Sequence, residues 1–169
     1  MKRLLLTIFL MTASICSFSQ EFNLPDYQIQ SPKDCDKYNN DVLNAIDWLI
    51  STPPNKELKK QQKTKEFLIQ WMTETKAVSI YLDTDIVNFF EKNEDLLIIF
   101  MCGSTKYALE NNVKSDKLEM SIAGIELCID YYNKNINLLK KDKNLEKYIK
   151  MKNNGTLRGH LEKVIKYTI

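Results

Sequence analysis

The stretch LEMSIAGIELCIDYYNKNINLL, residues 118–139, sets Leu118, Ile122, Ile125, Ile129, Tyr132, Ile136 and Leu139 at alternating intervals of four and three. That spacing is one face of an α-helix, and a run of about three heptads reads as a seam for antiparallel helix packing inside a core. Met120, Leu127 and Tyr131 form a second stripe, so the first half of this helix is expected to be covered on two sides. Immediately upstream, Leu96 to Cys102 is a run of seven apolar residues behind Asn93-Glu94-Asp95, whose acids suit the positive end of a helix. The run is far short of a membrane span and predicts a helix buried nearly all round. The turn at 112–115 makes the two helices an antiparallel hairpin. Counting outward from it, Gly103 faces Gly124, and Cys102 lies near the height of Cys128.

Outward from this hairpin the pattern stays helical. Val42, Ile46, Leu49 and Ile50 make one face with Trp48 at its flank, and Thr52-Pro53-Pro54 is expected to end that helix and start the next. The next helix has two characters. Its polar, lysine-rich half from Lys56 to Glu66 is expected to project into water, and Phe67, Leu68, Trp71 and Met72 supply its apolar face. Asp83-Thr84-Asp85 offers caps for a short helix from Ile86 to Lys92. Asn153-Asn154-Gly155 stops a helix containing Leu145, Tyr148, Ile149 and Met151, after which Thr156 can cap a last helix from Leu157 to Tyr167. No strand pattern and no fixed-period repeat occur. The predicted fold is all-α: six or seven helices in an irregular stack of antiparallel hairpins, forming one domain over 37–169.

The amino-terminal residues read differently. Met1-Lys2-Arg3 is charged, Leu4 to Met11 is apolar, and small and polar residues follow through Ser19, the layout of a secretory signal peptide over 1–19 cleaved before Gln20. An extended arm over 20–36, with Pro25 and Pro32, is expected to follow. Cys16 leaves with the leader, and Ile15 stands where a lipidation signal needs a small residue. Three cysteines, Cys35, Cys102 and Cys128, then remain in an oxidising compartment. One disulfide between Cys102 and Cys128 is within reach, with buried free thiols as the alternative.

The reported net charge of +2 belongs to the leader: without Lys2 and Arg3 there are 22 basic and 22 acidic residues. From Gln20 to Asn133 there are 12 basic and 19 acidic side chains, a net of −7; from Lys134 to Ile169 there are 10 and 3, a net of +7. Such polarity fits a basic carboxy-terminal layer packed on an acidic body, or a basic surface for anionic lipid. Export makes nucleic acid the weakest partner. One histidine, His160, and one arginine outside the leader, Arg158, exclude a histidine-based zinc site within one chain. There is no phosphate-binding glycine loop and no nucleophile elbow. Asp83, Asp85 and Glu94 imitate a calcium loop but lack the turn glycine, since Asn88 stands there.

The best local candidate for binding is Gly155-Thr156-Leu157-Arg158-Gly159-His160. A helix N-terminus there offers free N–H groups, and Arg158 and His160 lie within its first turn or so, which suits a carboxylate or phosphate. Glu126, beside the seam, could join them if buried. No cofactor, metal or catalytic residue is expected.

The leader ending Ser17-Phe18-Ser19-Gln20, the abundance of lysine and asparagine, Trp48 with Pro53, Trp71, Tyr131-Tyr132-Asn133 and Gly155-Thr156-Leu157 together resemble small exported all-helical proteins of Bacteroidetes. The resemblance implies export and an α fold and assigns no site residue. Without a β-rich carboxy-terminal sorting domain, it implies the periplasm rather than the exterior. The expected function is a non-enzymatic interaction protein, an adaptor or inhibitor-like module on another envelope protein. Two alternatives are a small-anion binder or enzyme built on Arg158 and His160, and peripheral binding of anionic membrane through the lysine-rich segment 140–152. The oligomeric state stays open.

Overall fold

The α3–α4 hairpin, α3 (Asp95–Glu110) and α4 (Lys117–Lys134), forms the centre of the fold in a computed structural model that describes residues 22–167. Around it stand α1 (Asn39–Ser51), α2 (Leu58–Glu74), α5 (Lys143–Asn153) and α6 (Leu157–Tyr167). A single helical turn, Pro32–Cys35, and a 3-10 turn, Asp36–Tyr38, lead into α1. No strand occurs among the described residues, so the fold is all-α, with hairpins of unequal length. The expected signal peptide, with Cys16, lies outside the described residues.

The hairpin closes because small residues let its backbones meet. A Cβ on Gly103 would fall 2.6 Å from the Ala123 carbonyl oxygen and 2.8 Å from the Gly124 Cα. The Ser104 hydroxyl donates to the Met120 carbonyl at 2.9 Å across the same contact. Leu96, Ile98, Ile99, Phe100 and Cys102 are all buried, because α3 is covered by α4 on one side and by α1 and α2 elsewhere. Asp116 caps α4 by accepting the Glu119 N–H at 3.0 Å.

Four sequence expectations need correction. The seam stops early: α4 ends at Lys134, and Ile136 is 54% exposed. Asn135 ends the helix by turning its carboxamide back onto the Tyr131 carbonyl at 2.9 Å. No helix forms over 86–92, where a single turn accepts at the Asp83 carbonyl from Ile86 and Val87. The Ile86 carbonyl, which a helix would need, instead accepts from the Tyr148 hydroxyl at 2.9 Å. Thr52 closes α1, donating its N–H and hydroxyl to the Trp48 carbonyl, whereas α2 begins only at Leu58, behind Glu57 at φ 50°.

The polar half of α2, finally, projects into water on one face only: Lys56, Lys59, Gln62, Lys63 and Glu66 are exposed, and the opposite face is covered. Gln61 and Thr64 are buried, and the Gln61 amide donates to the Pro53 and Lys56 carbonyls. Lys60 lies over the ring of Trp48, and Lys65 pairs with Asp95 at 2.5 Å. Lysine stems cover apolar surface well, so a polar sequence can still form an interface.

Residues 22–29 run without regular structure along α1 and α2, and the chain turns helical at Pro32. Phe22 stacks on Trp48, Tyr27 packs on Phe67, and Ile29 is buried. The Trp71 indole N–H donates to the Cys35 carbonyl at 3.0 Å, and the Gln70 amide donates to the Ile29 carbonyl at 3.0 Å.

Candidate functional site

The α5–α6 junction, where the sequence places its anion site, is built by a glycine in the left-handed region. Gly155 has φ 70°, its N–H donates to the Lys152 carbonyl, and the Thr156 N–H donates to the Met151 carbonyl. This double bond closes α5 and aims α6 back across the molecule. The Thr156 hydroxyl also turns to the Met151 carbonyl, at 3.5 Å, so it serves the end of α5.

From that junction Arg158 reaches α4. Its two terminal nitrogens meet the two Glu119 carboxylate oxygens at 2.5 and 2.8 Å, a bidentate fork. The hydrogen bonds from Arg158 hold the Glu119 carboxyl below the usual glutamate range, and the same contact raises Arg158. Two and three turns along α4, Glu126 and Asp130 lie 3.7 Å and 3.3 Å from Lys152 of α5. These pairs frame a cleft of about 390 Å³ between α4 and the α5–α6 junction, floored by Ile122, Ala123 and Leu157. Glu126 remains 43% exposed at its side chain, so burial does not turn it into a general acid.

His160 belongs elsewhere. Its ring sits 6.0 Å from that of Tyr148, in a smaller hollow of about 180 Å³ with Asp85, Asn144 and Lys147. Gly155 borders the α4 cleft together with Arg158, and it also borders a shallow depression that holds Thr156 and His160. Arg158 and Glu126 therefore meet in one cleft, and His160 does not join them. Two N–H donors of Arg158 are engaged by Glu119, and the cations of the cleft are matched by carboxylates.

The thiols are removed from any surface. Cys35, Cys102 and Cys128 are free and buried, so the Cys102–Cys128 disulfide is not formed. Burial pushes Cys102 up to about 12 and Cys128 well above the ordinary thiol value, and Cys128 donates to the Leu96 carbonyl at 3.3 Å. Each is an inert core thiol, since the thiolate is the reactive form.

Sequence reasoning missed Glu119, Asp130 and Lys152. Their signal was present in the recurrence of acids at 119, 126 and 130 on one helical face and in the opposite charges of the two chain segments. Among the described residues, no group of three or more histidine, cysteine or acidic side chains is placed to hold a metal, and no helix is long and apolar enough to cross a membrane. No family model matches this chain, and no curated protein or solved structure matches it.

Proposed function

We propose that this chain is an exported, non-enzymatic interaction module that binds another protein of the cell envelope, in the periplasm, through the cleft beside α4. The observation that carries this reading is the pairing of charges around an apolar floor. Arg158 with Glu119, and Lys152 with Glu126 and Asp130, set cations and carboxylates in pairs beside the cleft, which disfavours a free anion there. Half-exposed ion pairs of this kind contribute little to stability. They can exchange their intramolecular partners for charges on a binding protein, which fixes register, while the half-buried Ile122 and Ala123 supply apolar contact. The partner surface that suits it is an apolar side chain flanked by charges of both signs.

The test is a cross-linked pull-down from the native envelope, read by mass spectrometry, with wild type, Ile122→Lys and Lys152→Glu compared. One stoichiometric partner is expected with wild type and is lost with both variants, each shown by its thermal melt to be folded. A blank with wild type, or an unchanged partner with a folded variant, overturns the reading.

A further inference from the structure

We propose that the loop joining α4 to α5 is a membrane-docking wedge that seats Ile136 and Leu138 at the headgroup boundary of an anionic bilayer. Five large apolar side chains stand out as exposed among the described residues, and two of them, Ile136 at 54% and Leu138 at 49%, lie two positions apart on this loop. Scattered apolar exposure is ordinary, but two such side chains two positions apart on one turn are close enough to act together.

The loop is held, so the exposure is not fraying. The Leu138 and Leu139 N–H groups donate to the Asn135 carbonyl, which makes a compact turn. The Asn93 carboxamide, itself only 8% exposed, grips Lys140 twice: it accepts from the Lys140 N–H and donates to the Lys140 carbonyl, each at 2.8 Å. The Asp142 N–H donates to the Tyr132 hydroxyl at 3.3 Å. A tip already ordered loses little conformational freedom on docking.

Charge decides the occupant. Residues 133–141 contain Lys134, Lys140 and Lys141 and no acid, and Lys143 follows. Asp142 is buried as the cap of α5, and Glu146 pairs with Lys141 at 3.4 Å. Lys92 and Glu94 flank Asn93, with Glu91 one position further, so charges of both signs lie in sequence beside the residue that grips the loop. The Lys134 ammonium turns back to the Ile50 and Ser51 carbonyls, so Lys140, Lys141 and Lys143 are the lysines beside the apolar pair, and together they match the two layers of a bilayer surface, acyl chains below and phosphates above. Each lysine near such a surface strengthens binding by about fivefold. Exposed apolar side chains beside the lysines favour lipid over an acidic protein, which the lysines alone would serve. The wedge uses none of the residues that line the α4 cleft.

The experiment is sedimentation of the full chain with vesicles of phosphatidylcholine alone or mixed with phosphatidylglycerol, at low and high salt. Binding to the mixed vesicles at low salt is expected, falling about tenfold or more in Ile136→Ser/Leu138→Ser and likewise in Lys140→Glu/Lys141→Glu. Both pairs are exposed, and unchanged thermal melts show that the variants are folded. Leu138→Trp is expected to blue-shift its emission on the mixed vesicles. Binding untouched by the Ile136/Leu138 pair means simple adsorption and overturns the wedge. Equal binding to phosphatidylcholine alone, no binding at all, or retention on polyglutamate resin without vesicle binding overturns it too, the last assigning the loop to an acidic protein.

Discussion

A methyl group on Gly103 would meet the Ala123 carbonyl oxygen at 2.6 Å and the Gly124 Cα at 2.8 Å, and one on Gly124 would meet the buried Phe100 ring at 2.6 Å and the Phe100 carbonyl oxygen at 2.8 Å. Relief requires the two central helices to part. Gly103→Ala is therefore expected to destabilise by about 1–3 kcal/mol in urea denaturation. The control is Gly159→Ala in α6, where the added carbon meets nothing, and stability should rise by up to about 1 kcal/mol from helix propensity. At Glu119 the prediction concerns pH. Its carboxyl is held low in the folded protein by Arg158, so the pair stabilises above the ordinary glutamate range, and the contribution vanishes as pH falls through the lowered folded-state value. Urea curves of wild type and Glu119→Gln should differ slightly at neutral pH and converge in acid. The facing glycines were legible in the sequence because both distances count from one turn. The Arg158–Glu119 fork was not, because no local pattern links side chains 39 positions apart.

Elements held together by single polar contacts give sharper tests. The Trp71 indole ties α2 to the turn ahead of α1 through the Cys35 carbonyl. Trp71→Phe removes that buried hydrogen bond and leaves a void beside it, and should cost about 2 kcal/mol or more by chemical denaturation. Cys102 and Cys128 sit within the hairpin, their thiols raised by burial. A disulfide-exchange reagent in mildly alkaline buffer should therefore leave both unmodified in the native protein and modify both in denaturant. At this scale the sequence misjudged ends more than cores. Periodicity reports which residues face inward, but a helix terminates where a tertiary hydrogen bond takes a carbonyl, as Tyr148 does at Ile86, or where a side chain folds back, as Asn135 does on Tyr131.

Across the whole molecule, the amino-terminal segment acts as a strap over α1 and α2. Ile29→Ala should cost about 2 kcal/mol, and removing residues 22–29 should red-shift the emission of Trp48 as Phe22 leaves it, both read in one fluorescence-monitored melt. The opposed charges of the two chain segments meet as the packing of basic α5 and α6 on acidic α4, the simpler of the two readings that composition allowed. The sequence by itself determined the all-α class, the helix faces and the central hairpin, because those follow from spacing along the chain and from the burial of apolar area. Only the tertiary structure decided that Arg158 and His160 part company, that one face of the lysine-rich half of α2 is covered, and that Ile136 leaves the seam for solvent. Each depends on which distant groups arrive at the same place, and the net balance of a few hydrogen bonds and ion pairs there outweighs local preference.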